Sequence, residues 1–183
     1  MFTARPYLSP LKKGAQKESR LSKPDAGEFL ALWNRYSGLI KIVDLAPELE
    51  GAEDFIRRVR SRCVISMAHT AASYEGALEA FRQGVGQATH LFNGMAALGH
   101  REPGPAGAVL DSEQVRAELI CDGIHIHPAM LRLAFRILGS RAVVVSDSMR
   151  AAGMPDGEYT LGGQRAWVRQ GTALLRDGTL AGS

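Results

Sequence analysis

Apolar positions along the chain fall into short runs separated by stretches with helical spacing. Five runs stand out, at 39–45, 63–68, 88–92, 117–120 and Ala142–Val145. They are short, often rich in β-branched residues and flanked by Pro, Gly or polar residues, a pattern that predicts buried strands. Over 26–36, 52–62, 74–84 and 128–138 the apolar positions recur every three to four residues, which predicts amphipathic helices. The first helix carries its own start signal, Asp25 as N-cap with Glu28 as the capping-box partner. Strands alternating with helices predict an α/β fold, a parallel sheet covered by helices. Val143-Val144-Val145 is apolar on successive residues, the expectation for a strand buried on both faces.

Three segments lack this rhythm. Residues 1–25 are polar and carry Pro6, Pro10, Gly14 and Pro24, so an irregular surface segment is expected. Residues 93–107 contain four glycines and two prolines, the composition of a long polar loop. Near the chain end, 158–163, 166–168 and 173–175 read as short strands joined by Gly-rich and Asp-Gly turns. The chain thus divides into an α/β part over 1–150 and a small β element over 151–183.

Composition narrows the function. Of 183 residues, 45% are hydrophobic and 22% charged, which excludes a disordered tail, a fibre and a disulfide scaffold. The net charge is +3, with basic and acidic residues interspersed. That argues against nucleic acid as the partner and suits a phosphorylated small molecule. No apolar run approaches the roughly 18 residues of a membrane span. Cys63 and Cys121 lie in apolar runs and are expected to be reduced core thiols. The first twenty residues contain no apolar stretch of signal-peptide type, so a cytoplasmic protein is expected.

In parallel α/β sheets, ligands gather at the carboxyl ends of the strands. His69 follows the second run, His90 comes straight after Ala88-Thr89 in the third, Asp122 and His125 follow the fourth, and Asp147 the fifth. Imidazoles on neighbouring strands can bind a Zn²⁺-like ion, given a third ligand and an open position. A carboxylate beside the activated water can move its proton. The outline is metal-assisted hydrolysis. Arg101, in the loop, is a planar, permanently charged fork suited to phosphate or carboxylate, with a surface ion pair as the alternative. His127 is read as opening the following helix, and neither it nor His100 is assigned a role.

Several ordered motifs then resemble one known family. They are Ala88-Thr89-His90-Leu91-Phe92-Asn93-Gly94-Met95, Arg101-Glu102-Pro103-Gly104, Asp122-Gly123-Ile124-His125 and Val145-Ser146-Asp147-Ser148-Met149. Leu45-Ala46-Pro47-Glu48, Ala68-His69-Thr70 and Gly178-Thr179-Leu180-Ala181-Gly182-Ser183 add to them. Together they resemble the N-acetylglucosamine-6-phosphate deacetylases of the amidohydrolase superfamily. The resemblance implies a (β/α)₈ TIM barrel with a small β-sandwich domain. It implies His69 and His90 as ligands of a divalent metal, Zn²⁺ first, with Fe²⁺, Mn²⁺ or Co²⁺ as alternatives. It implies Asp147 as the catalytic acid/base and Arg101 as the phosphate-binding residue. Ala15, Gln16, Asn93, Gly94, His125, Leu180, Ala181 and Gly182 are implied as further substrate contacts, and Glu48 as structural. The implied reaction is hydrolysis of the acetamide of N-acetylglucosamine 6-phosphate, by a cytoplasmic homodimer that binds neither nucleic acid nor membrane.

The chain also departs from the family pattern. The family carries a metal-binding glutamate just before Pro-Tyr-Leu, and Ala4 stands at that position here. Five β/α units are readable, against eight in a closed barrel. The expectation is a partial barrel, about the last five units, which would expose apolar surface unless completed by another chain or by oligomerisation. A non-catalytic remnant lacking the metal-binding glutamate is the alternative reading.

Overall fold

The computed structural model describes residues 7–36 and 38–183. Five parallel strands lie in sequence order in one sheet: β1 (Ile42–Leu45), β2 (Val64–Met67), β3 (Gln87–Ala88), β4 (Arg116–Ile120) and β5 (Ala142–Val145). The connecting helices are α2 (Ala52–Val59), α3 (Tyr74–Gln83), α4 (Gly104–Asp111) and α5 (Pro128–Leu138), with α1 (Ala26–Arg35) ahead of β1. The caps follow the local chemistry. Asp25 accepts from the Glu28 amide at 2.9 Å, and Ser73 accepts from the Gly76 amide at 3.1 Å, each satisfying an otherwise unpaired helix donor.

The register sets the two faces of the sheet. Asp44 pairs with Ser66, Ser66 with Gln87 and Gln87 with Arg116, so these residues and Glu118 share one face. Val43, Leu45, Ile65, Met67, Ala88 and Leu119 share the other. There they form one core with helix residues such as Phe29, Phe55, Ile56 and Ala77. Phe55 is fully buried in that core, with Tyr7 and Phe29 edge-on to it at 5.0 and 5.3 Å. The helix side is therefore apolar, whereas the inner face carries a row of polar side chains.

Three antiparallel strands, β6 (Gly157–Leu161), β7 (Gln164–Arg169) and β8 (Thr172–Leu175), make a second sheet with its own small core of Met149, Ala151, Ala166, Val168, Ala173 and Ala181. Its two hairpins turn through pairs of positive-φ residues, Gly162-Gly163 and Gln170-Gly171. That geometry matches the twist of the flanking strands. The Gly162-Gly163 turn is tied to the chain's early segment: Lys17 Nζ donates to the Gly163 carbonyl at 3.0 Å and Gln164 Nε2 to the Ala15 carbonyl at 2.7 Å.

Several expectations change. The loop expected over 93–107 holds only as far as residue 103; α4 begins at Gly104, and its first six residues are all buried. Pro105 sits near its start, where a missing amide hydrogen costs nothing. Residues 7–9 are not a surface segment. Tyr7 lies parallel beside Leu45, accepts from the Ala46 amide at 2.8 Å, and is buried together with Leu8 and Ser9. Residues 10–25 carry only two short 3-10 turns, at Pro10–Lys12 and Glu18–Arg20, as expected of an irregular segment, and residues 1–6, including Ala4 and Pro6, lie outside the described residues. The third strand is two residues long, because the chain leaves the sheet at Thr89 and turns. β5 is not buried on both faces. It pairs only with β4, and Val144 is 63% exposed. Leu133 and Ile137 on α5 are also about half exposed, so this end of the sheet presents apolar surface to solvent. Cys63 and Cys121 are both free, but Cys63 is half-buried and Cys121 exposed, because it lies just past the end of β4. No described helix is long and apolar enough to cross a membrane.

Candidate active site

Three of the expected residues share an uncommon backbone state. His69, His90 and Asp147 follow β2, β3 and β5, and have φ of +45°, +35° and +47°. Side chains rarely adopt this left-handed region, and residues held there cluster at functional sites. Here each one ends a parallel strand and turns the chain sharply at the carboxyl edge of the sheet.

The two imidazoles converge. His69 Nε2 and His90 Nε2 lie 3.1 Å apart, with the rings perpendicular and their centroids 4.7 Å apart. The His69 Nδ1–H donates to the Lys12 carbonyl at 2.7 Å, an acceptor that fixes the tautomer and leaves Nε2 with its lone pair. His90 is buried, and its Nδ1 has no partner among the described residues. Burial lowers the pKa of His69. Burial, and then His69 beside it, pushes His90 down to about 4. Both rings are neutral at physiological pH, the state that ligates metal.

That arrangement fits part of a metal centre. Two nitrogens at Zn–N distances of about 2.0–2.1 Å in a tetrahedron stand roughly 3.3 Å apart, close to the separation found. The described residues supply no group of three or more His, Cys, Asp or Glu placed to hold an ion. The donor set therefore matches two protein ligands of a divalent cation. The position of Ala4 lies outside the described residues.

The surroundings of His69 are shaped for the ring. A Cβ on Gly94 would stand 2.6 Å from His69 Nδ1, and a Cβ on Gly14 would stand 3.0 Å from its Cε1. Both glycines also have positive φ, +61° and +54°. Expected as a substrate contact, Gly94 thus packs directly on the candidate ligand. Glu48 accepts from Thr70 Oγ1 at 2.5 Å and from the Ala71 amide at 2.6 Å, fastening the loop after β2.

Asp147 is exposed at the end of β5, and the chain's last residues hold its backbone. The Ser183 amide donates to the Asp147 carbonyl at 3.1 Å, and the Met149 amide donates to the Ser183 carbonyl at 2.9 Å. Gly182, at φ +103°, comes so close that a Cβ would stand 2.9 Å from the Asp147 carbonyl oxygen. Ala181 is buried and pairs back to Ala173, while Leu180 bridges to Leu174. The expected Leu180-Ala181-Gly182 segment thus meets the Asp147 loop.

The remaining candidates are spread around this centre. Asn93 folds its amide back onto the His90 and Leu91 carbonyls, both at 3.3 Å. His125 Nδ1 meets Asp122 Oδ2 at 2.7 Å, and Asp122 Oδ1 accepts the Ile124 and His125 amides, so the aspartate orients the imidazole. Arg101 is exposed and forms no ion pair among the described residues, which leaves its guanidinium open to an anionic ligand. Gln16 is exposed, while the Ala15 carbonyl is already taken by Gln164. His127 opens α5 by accepting the Ala129 amide at 3.2 Å.

One feature of the inner face had no counterpart among the sequence candidates. Asp44 is buried and accepts from Thr89 Oγ1 at 2.7 Å; Thr89 Oγ1 in turn lies 2.6 Å from Ser66 Oγ. Burial pushes the Asp44 carboxyl up to about 7, and the neighbouring Glu118 and Asp147 carboxylates add to the rise. Glu118 is also raised by burial and accepts from Gln87 Nε2 at 2.7 Å. A single aspartate interrupting the apolar run at 39–45 was the signal available in the sequence.

No protein-family model matches the chain, whereas known proteins resemble it in sequence and in fold. It is 44% identical over 180 residues to the N-acetylglucosamine-6-phosphate deacetylase of Bacillus subtilis, a match covering 97% of this chain and 46% of the relative. It is 38% identical over 179 residues to the N-acetylgalactosamine-6-phosphate deacetylase of Escherichia coli O157:H7, covering 97% and 48%. A solved structure of the Mycobacterium smegmatis N-acetyl-D-glucosamine-6-phosphate deacetylase, in complex with N-acetyl-D-glucosamine-6-phosphate, superposes with a TM-score of 0.93 at 36% identity, covering 97% of this chain and 48% of that one. The Thermotoga maritima N-acetylglucosamine-6-phosphate deacetylase gives 0.89 at 38% identity with the same coverage. By sequence and by fold, the chain is thus homologous along nearly its whole length to the N-acetylglucosamine-6-phosphate deacetylases, and it spans about half the length of the curated relatives it matches.

Proposed function

We propose that this chain carries the metal-binding and proton-transfer part of an amide hydrolase that converts N-acetylglucosamine 6-phosphate and water to glucosamine 6-phosphate and acetate. The observation that carries the reading is the convergence of His69 and His90 at 3.1 Å on two left-handed strand ends, with Asp147 on a third. His69 and His90 would hold the divalent cation, Zn²⁺ first and Fe²⁺, Mn²⁺ or Co²⁺ otherwise. Such a cation supplies Lewis acidity, activating water and polarising the amide carbonyl. Asp147 takes a proton from the attacking water and returns it to the departing amine. Arg101 binds the phosphate and so aligns the amide with the two histidines. His125 hydrogen-bonds the sugar, a role supported by the way Asp122 holds its imidazole. The five-stranded sheet would be part of a (β/α)₈ barrel, and the active form a cytoplasmic homodimer.

A second reading, a non-catalytic chain, is favoured by one fact: the described residues offer two clustered ligand histidines and no third ligand. Acetate release from N-acetylglucosamine 6-phosphate, measured with Zn²⁺ in excess, separates the two. Hydrolysis that disappears in Asp147→Asn supports the enzyme. No acetate at saturating Zn²⁺ supports the second reading. Arg101→Ala should raise KM far more for the phosphorylated sugar than for free N-acetylglucosamine, and equal effects would remove Arg101 from the phosphate site.

A further inference from the structure

The inner face of the sheet carries a hydrogen-bonded chain that the proposed reaction does not use. Thr89 Oγ1 donates its only proton to Asp44 Oδ1 at 2.7 Å. Ser66 Oγ, 2.6 Å away, must then donate to Thr89. Three strands are involved. Asp44 lies in β1 and Ser66 in β2, paired in register, and Thr89 directly follows β3. All three residues are buried, at 8%, 0% and 5% exposure. A carboxylate in such a place is costly, and an apolar side chain would serve packing as well or better.

The position of Thr89 indicates what the chain does. It is the last residue before His90, which stands at φ +35°. The Thr89 amide is held by the Met67 carbonyl at 2.9 Å, and the Leu91 amide by the Glu118 carbonyl at 2.8 Å. The backbone on either side of His90 is therefore pinned to the strands beside it. The hydroxyl pinned to Asp44 adds the side-chain restraint on that turn.

We infer that Asp44, acting through Thr89 with Ser66 as second support, is a positioning residue that holds the strained turn at His90 and so aims its Nε2 at His69. The inference concerns geometry, and it extends the proposed metal-centre reading without being tested by the same result. Asp44 does its work as a hydrogen-bond acceptor. Asn at the same position presents a carbonyl oxygen to Thr89 and preserves the contact, whereas Ala removes it. At position 89, Ser keeps the hydroxyl, whereas Val keeps the shape and loses it.

The test uses the full chain and four variants, Thr89→Val, Thr89→Ser, Asp44→Ala and Asp44→Asn, each checked for native circular dichroism. The first readout needs no metal: imidazole ¹⁵N and ¹H shifts of His69 and His90 by NMR. Thr89→Val and Asp44→Ala should move the His90 resonances and abolish ring-to-ring contacts with His69, while Thr89→Ser and Asp44→Asn keep both. The second readout is Zn²⁺ affinity, which should fall about tenfold or more in the first pair and stay within a few-fold of wild type in the second, the scale seen when groups supporting a metal ligand are removed. Folded Thr89→Val and Asp44→Ala with wild-type imidazole signals would overturn the inference whatever the Zn²⁺ result. A wild-type chain that binds no Zn²⁺ would overturn the metal reading alone, and the imidazole shifts would still decide the positioning. Equal loss in all four variants would also overturn it, because the hydroxyl and the acceptor would then not be what matters.

Discussion

Replacing Asp44 by Asn should stabilise the protein, and increasingly so as pH rises from about 4 to 7. The ordinary aspartate value of 3.8 governs the unfolded chain, whereas burial holds the folded carboxyl at about 7. At pH 5.5 the folded protein therefore keeps a proton that the unfolded chain has released. Stability falls with pH wherever the folded state binds more protons, by about 1.4 kcal/mol per pH unit for one full proton. The gap amounts to roughly 4 kcal/mol between pH 4 and 7, after which both states are ionised and the slope vanishes. Asn cannot ionise and escapes this loss, while keeping the acceptor for Thr89. His69 and His90 act in the opposite sense. Buried neutral, they cost stability as pH falls below about 6.5, where the unfolded imidazoles take up protons first. Because they are common to both proteins, they cancel in the comparison. Urea unfolding at half-unit steps from pH 4.5 to 8 is the assay. With a slope near 2 kcal/mol per molar urea, the two midpoints should separate by about 2 M at pH 7 and converge towards pH 4. Parallel midpoints across the range would refute the account of Asp44 as a carboxylic acid held protonated by burial.

Further outcomes follow from other parts of the fold. The Arg141 guanidinium donates to the Val109 and Val115 carbonyls at 3.1 and 2.8 Å, closing the end of α4 onto β4. Arg141→Ala should therefore cost about 2–3 kcal/mol, with amide exchange accelerated first over 109–115; protection unchanged there would contradict the assignment. Val144→Lys places a charge on the open edge strand and should shift the chain towards monomer in light scattering at no more than about 0.5 kcal/mol. Identical self-association in the variant would show that this edge is not the sticky surface. Asp25→Ala removes the cap on the Glu28 amide and should cost about 1 kcal/mol by urea unfolding, with α1 amides exchanging first.

Much of this architecture could be read from the sequence because its signals are local. The runs at 39–45, 63–68, 117–120 and Ala142–Val145 became strands, and the Asp25 cap sits where the Asp-x-x-Glu spacing put it. α4 is not legible in the sequence because Gly104, Pro105 and Gly107 look like breakers. Their helix is held by burial from Gly104 to Val109 rather than by propensity. The exposure of Val144 could not be read either: an apolar triplet looks the same in a central strand and in an edge strand, and only pairing tells them apart. Of the candidate site, His69, His90 and Asp147 were visible as polar residues ending apolar runs. Their shared left-handed backbone was not, since φ leaves no trace in residue type outside glycine. Asp44 was hidden for a related reason. Beside Lys41, a second charge in the same apolar run reads as a tolerated exception until the register shows Ser66 paired with it and a hydrogen bond ties Thr89 to it.

The most direct test of the central claim is calorimetric titration of Zn²⁺ into the purified full chain, with His69→Ala and His90→Ala alongside. The account predicts one Zn²⁺ per chain, with binding lost in both variants while their circular dichroism stays native. Absence of binding, or binding that both variants retain, would contradict it.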